Sequence, residues 1–177
     1  MFGLENLRGI EGAAQAIYFH ALTALFPQSL NFRTRSRRPP RDPVNACLSL
    51  GYTLAHFEAV RTLHAAGLDP FLGFFHELSF GRESLACDLI EPVRPSVDAW
   101  VWQMFRSREL RSEHFTSDKG ACLLEKTGRL RFYERFEPFL ESLARRFRSY
   151  GRLLVRDLRS EAMKLVIAND GIEENEP

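Results

Sequence analysis

At 177 residues, with 45% hydrophobic and 27% charged side chains, the chain has the size and composition of one globular domain able to bury a single core. No apolar run approaches the roughly eighteen residues that a membrane-spanning helix needs, and Met1 to Gly12 carries Glu5, Arg8 and Glu11 without an apolar core, so neither an integral membrane protein nor a secretory signal is expected. The net charge of +1 conceals an asymmetry: Asp170, Glu173, Glu174 and Glu176 give the last eight residues −4 and leave +5 on the rest, much of it clustered arginine that suits an anionic partner.

Cys47, Cys87 and Cys122 are odd in number and far apart, which fits neither a disulfide framework nor a CxxC zinc pattern. Three small core thiols in a reducing cytoplasm are the simpler expectation.

Helical periodicity dominates the chain. Leu7, Ile10, Ala14, Ile17, Ala21 and Leu25 recur at steps of three and four, predicting a helix from about Leu4 to Phe26, ended by Phe26-Pro27. Asn31 to Asp42, arginine-rich and holding Pro39 and Pro40, must be a loop. Asp42-Pro43 reads as an N-cap followed by proline at the first helical position; that helix should run to Ala66, where Gly67 supplies the left-handed stop and Pro70 follows. A short apolar helix is expected at Phe71 to Phe75. Ser84 should then cap a helix that continues toward Leu110, bent at Pro92 and Pro95. After the polar stretch Ser112 to Gly120 comes a short extended piece, Ala121 to Leu124. Gly128 to Ala168 reads as one or two arginine-rich amphipathic helices, with Gly151 the candidate break. No credible set of strands emerges, so the expected fold is all-α: a helical domain over 1–168 and an acidic, disordered tail over 169–177.

Four residues suggest chemistry. Asp88 and Glu91, three apart, share a helical face, and two such carboxylates repel unless a cation, a proton or water lies between them. With Glu11 and His76 they would make an oxygen-rich set with one imidazole, which suits Mg2+ or Mn2+ better than zinc. The alternatives are a solvated carboxylate face, a structural histidine and a boundary glutamate. An HExxH zinc motif is absent, because Phe80 stands four positions after His76. Arg33, Arg35, Arg37, Arg38 and Arg41 place five guanidiniums within nine residues, a cationic edge matched to DNA phosphates, or else a solubilising loop. Asn45, Ser49, Tyr52 and His56 form a polar stripe on the following helix, either a groove lining or a solvent face.

These residues lie in blocks that resemble the CRISPR-associated integrase family Cas one: Arg8-Gly9-Ile10-Glu11-Gly12, Arg37 to Ala46, Leu50-Gly51-Tyr52, Ala66 to Pro70, Gly73-Phe74-Phe75-His76-Glu77 and Ser84 to Glu91. The series runs in the family's order from Leu7 to Arg94, with a weaker likeness over Gly120 to Arg131. The resemblance implies the family's helical C-terminal catalytic domain without its N-terminal β domain. It implies metal binding and catalysis by Glu11, His76 and Glu91, with Asp88 a secondary acidic position, and DNA binding by Arg41 and its neighbours Arg33, Arg35, Arg37 and Arg38; the polar stripe adds Asn45 and Tyr52 as candidate DNA contacts. The implied reaction is metal-dependent cleavage and joining of phosphodiesters in spacer acquisition, attacked by water or a DNA 3′-hydroxyl. The implied partners are branched or integration-site DNA, a second copy of the chain and the small protein Cas two. A DNA-binding or scaffolding fragment without turnover is the alternative. Pro92, directly after Glu91, departs from the family pattern.

Overall fold

The computed structural model describes residues 3–173. The expected all-α fold is what the chain adopts, as helices α1 (Leu4–Thr23), α2 (Pro43–Ala65), α3 (Ser84–Ile90), α4 (Arg94–Arg106) and α5 (Lys126–Glu173). Among the described residues the only strands are β1 (Phe115–Asp118) and β2 (Ala121–Leu124), paired antiparallel.

Helix α2 is the central element, packed against α3, α4, α5 and β2. Its ends follow local chemistry. The Asp42 carboxylate accepts from the Asn45 amide at 2.8 Å, and Pro43 needs no partner at the first position. At the other end Gly67 sits at φ +75°, while its amide and that of Leu68 return to His64 O and Leu63 O, closing a Schellman motif. On one side of α2, Leu48, Val101, Phe105, Phe132 and Phe136 are buried together, with Trp100 edge-on to Phe132 and Phe136 at 5.0 and 4.9 Å. On the other, Leu63, Leu89, Val97, Leu143 and Phe147 close a second cluster.

Four expectations need correcting. The segment Phe71 to Phe75 is not helical, because the Phe74 and Phe75 amides, which a helix would direct at preceding carbonyls, point at the Asp88 carboxylate instead. Ser84 is a buried first helical residue, not a cap; its hydroxyl donates to Glu77 O at 2.9 Å and so holds the preceding loop. The helix expected to bend at Pro92 breaks there: a 3-10 turn over Glu91–Val93 separates α3 from α4, since proline has no N–H for the helical ladder. The polar stretch before Ala121 pairs as a hairpin through Lys119 and Gly120, both at positive φ, the backbone of a two-residue type I′ turn. Of the one or two helices expected over Gly128 to Ala168 there is one: α5 passes unbroken through Gly151, where a Cβ would stand 3.6 Å from that of Ala66; one helical glycine costs only about 1 kcal/mol. Pro138 lies on its exposed side, as does Glu134, whose carbonyl the missing amide would have bonded. The α5 backbone continues to Glu173, inside the segment expected as an acidic tail, and 174–177 lie outside the described residues.

Helix α1 also behaves differently from its periodicity. Its apolar stripe faces outward, with Leu7 50% and Ile17 73% exposed. Arg8, Glu11, Gln15 and Phe19, spaced by three, four and four, face the rest of the chain; Phe19 packs against the core, and Leu22 and the following Phe26 are buried in it.

Candidate metal centre and its arginine-lined cleft

His76 lies on the loop between α2 and α3, held almost entirely by Asp88. The Asp88 carboxylate, all but fully buried, accepts from the backbone amides of Phe74 (2.8 Å), Phe75 (3.0 Å) and His76 (3.0 Å), and pairs with His76 Nδ1 at 2.5 Å. Burial pushes the Asp88 carboxyl up, but these donors together pull it below the usual carboxylate range. Gly73 makes this possible: a Cβ there would stand 2.7 Å from Ser84 Cβ and 2.9 Å from Asp88 Oδ2.

A carboxylate has about four lone-pair positions, and those of Asp88 all meet donors of this chain. Asp88 therefore stands behind His76 as its anchor instead of facing a cation as a secondary ligand, which corrects the sequence expectation. Its bond to Nδ1 fixes the imidazole and leaves Nε2 free, 3.9 Å from Glu91 Oε1.

Glu91, on the 3-10 turn, borders an open cleft of about 300 Å³ together with Glu11 of α1. Burial pushes the Glu91 carboxyl up; Arg94, Nη2 at 3.3 Å, opposes this, and the charge of Glu11 adds to it. Helix α1 is tied to the His76 loop by Arg8, which donates to Phe75 O (2.6 Å from Nη2) and pairs with Glu77. At the floor, buried Asp98 accepts from Tyr18 Oη at 2.8 Å and from Tyr52 Oη.

Two carboxylates bordering one cleft and an imidazole with a fixed tautomer make a donor set that fits a hard divalent cation. Among the described residues, however, no three His, Cys, Asp or Glu side chains are close enough to hold an ion as they stand. Glu11, on the same cleft as Glu91, has its Oε1 engaged by the Gln15 side-chain amide at 3.1 Å.

The acidic cleft shares Tyr52 and Arg94 with a second cleft of about 420 Å³, bordered also by Arg35, Arg37 and Arg38. A third, of about 500 Å³, continues past Arg33. The arginine loop is rigid because Asn45 holds it: Nδ2 donates to Thr34 O, and Oδ1 accepts from the Ser36 amide and from Arg35. The Cys122 amide of β2 donates to Pro40 O at 2.8 Å. Arg33, Arg37, Arg38 and Arg41 are left exposed.

Asn45 itself is wholly buried with its polar atoms committed to the loop, so it cannot touch DNA and the expectation that it does is corrected. Arg35 and Tyr52 edge the clefts, yet Arg35 is bonded to Asn45 and Ser49, and the Tyr52 hydroxyl to Asp98. Sequence reasoning missed Arg8, Arg94 and Asp98. Arg8 carried a signal, since it shares the Glu11 face at a spacing of three; Asp98 carried none.

His56, in the arginine-lined cleft, pairs with Glu83 at 2.5 Å and lies beside Cys87. The bond with Cys87, and then Glu83, raise the imidazole above its ordinary value against the opposing effect of burial. A folded value above the unfolded one gives stability that is complete below about pH 6.5 and is lost as the pH rises through the folded value. Urea titrations from about pH 6 to 8 should therefore show stability declining, with a flatter profile in His56→Gln. Parallel profiles would show that this pairing contributes nothing.

The sequence model of the family described as CRISPR associated protein Cas1 matches residues 3–138. A CRISPR-associated endonuclease Cas1 of Thermodesulfovibrio yellowstonii is 49% identical over 140 residues, covering 78% of this chain and 44% of that protein. A partial Cas6-RT-Cas1–Cas2 complex superposes with a TM-score of 0.81 at 27% identity, covering 91% of this chain and 52% of the other. A casposase bound to integration product shares the fold, with a TM-score of 0.77 at 24% identity over 89% of this chain and 49% of that one. The chain thus spans about half the length of these relatives.

Proposed function

We propose that this chain, which belongs to the Cas1 family of CRISPR-associated proteins, is the part of a spacer-acquisition enzyme that cuts and joins DNA phosphodiesters with a divalent metal, Mg2+ or Mn2+. The observation that carries this reading is one of adjacency. The Glu11–Glu91 cleft, whose Glu91 lies 3.9 Å from His76 Nε2, shares Tyr52 and Arg94 with the arginine-lined cleft.

The roles divide accordingly. Glu11, Glu91 and His76 would hold the ion, which when bound offsets negative charge on the attacking and leaving oxygens. Asp88 keeps the imidazole in register and its Nδ1 occupied, and Arg8 keeps the Glu11 helix against the His76 loop. Arg33, Arg37, Arg38 and Arg41 clamp the DNA backbone without reading bases, and Arg35 stiffens their loop. A DNA 3′-hydroxyl attacks in integration, and water in cleavage. A Cas2 partner is supported by the complexes that resemble this chain, and a homodimer is consistent with the outward apolar face of α1.

The second reading, a DNA-binding or scaffolding fragment without turnover, is favoured by the spacing of the acidic and imidazole side chains, no three of which, among the described residues, are close enough to hold an ion as they stand. The two separate in a cleavage and strand-transfer assay on branched DNA, run alongside a manganese titration of the same chain. Saturable manganese binding with metal-dependent strand transfer is the expected result. DNA binding with no manganese uptake would favour the scaffold.

The arginine assignment has its own measurement. Replacing Arg37, Arg38 and Arg41 with glutamine should weaken binding to all duplex sequences alike and flatten log K against log salt by about 0.9 per lost phosphate contact. An unchanged slope would assign the loop to solubility.

A further inference from the structure

Arg94 begins α4 one turn after Glu91 and stands where the two clefts meet. Its guanidinium carbon lies 5.3 Å from the Tyr52 ring centroid, on a ring that also carries Arg35 at 5.5 Å. Its Nε is buried without a hydrogen-bond partner, and its charge is met by Glu91 Oε1, 3.3 Å from Nη2. A guanidinium has five N–H donors, so this contact leaves most of its capacity unused. On the other side Arg35, Arg37 and Arg38 border the same cleft, a like-charged wall that an anion would relieve.

We infer that Arg94 is an exchangeable counter-cation: it neutralises Glu91 in the metal-free protein, and turns onto a phosphate oxygen of bound DNA when a divalent ion takes over that carboxylate. The inference rests on the reading of Glu11, Glu91 and His76 as the metal site. Its physical basis is competition. A guanidinium and a divalent ion cannot both lie against one carboxylate without repelling each other, and the Tyr52 face gives the guanidinium a fixed platform from which either cleft is within reach. Arginine, unlike lysine, can keep that stacking while redirecting its planar fork to phosphate.

The sign of one measurement separates this role from a merely structural one. If Arg94 only buttressed Glu91, removing it would loosen the metal site; if it competes, removing it tightens the site. Manganese alone is titrated into the 177-residue chain and free Mn2+ is followed by electron paramagnetic resonance, for the unmutated protein, Arg94→Gln and Arg94→Lys, with melting curves confirming folding. Arg94→Gln should bind Mn2+ about tenfold more tightly, and Arg94→Lys, which keeps the charge, should stay near the parent. In duplex-DNA titrations the parent's salt slope should exceed that of Arg94→Gln by about 0.9 in the presence of Mn2+, and match it in its absence. Manganese affinity in Arg94→Gln that is unchanged or weaker would overturn the exchange and leave the metal-site reading standing. No manganese binding by the unmutated chain would overturn both.

Discussion

Replacing His76 with alanine should lower manganese affinity by more than about a hundredfold, the upper end of what the loss of a supporting residue costs a metal site, and should abolish metal-dependent cleavage with it. His76 is the donor whose geometry is most completely fixed: Nδ1 is occupied, the backbone amide is bonded to the same carboxylate, and the ring is edge-on to Phe75 at 5.5 Å. DNA affinity measured without manganese should hardly move, because the exposed arginines supply it. Glu91→Ala should abolish cleavage equally, and the double variant should be no worse than either single one, since the groups act as a unit. Folding should survive in both, as neither side chain is enclosed in a core cluster. Full manganese affinity in a folded His76→Ala variant would remove the imidazole from the site.

What the sequence disclosed was local. The Asp42-Pro43 start and the Gly67 stop of α2 are properties of a few adjacent residues, and both stand where expected. Periodicity is weaker, because it tells which residues share a face and not what that face meets. The α1 stripe turns outward, and in the α2 stripe, which spacing leaves as either a groove lining or a solvent face, Asn45 lies beneath the arginine loop. Asp88 and Glu91 show the same limit most sharply. Their spacing placed them together, and they do meet one imidazole, but in different ways that spacing cannot tell: Asp88 at Nδ1, Glu91 toward Nε2. The hairpin turn at Lys119-Gly120 offered one glycine as its signal, and without the pairing of Phe115 to Leu124 that glycine could equally have ended a loop.

Asp88→Ala should be the most damaging single change to the fold around the centre, costing about 3–5 kcal/mol, the range for breaking one side of a buried charged network. Three loop amides and an imidazole N–H would lose their acceptor together, and water cannot follow them easily, since Gly73 packs against Ser84 and Asp88 with no room for a methyl group. The residue-74 to residue-76 backbone would then relax, and with it the Arg8 contact at Phe75 O that positions the Glu11 helix. Asp88→Asn should be nearly as harmful despite its shape. Whichever way the amide is turned, its NH2 meets donors that require an acceptor. Manganese affinity should therefore fall in both variants although Asp88 touches no ion, and His76 should lose its fixed tautomer in NMR spectra of the ring nitrogens. A depressed carboxyl stabilises the fold at pH values above the ordinary carboxylate range and loses that contribution as the pH falls through its folded value, so the parent should lose its stability advantage over Asp88→Ala on acidification below about pH 4. Manganese binding unchanged in a stable Asp88→Asn variant would show that the imidazole needs no such anchor.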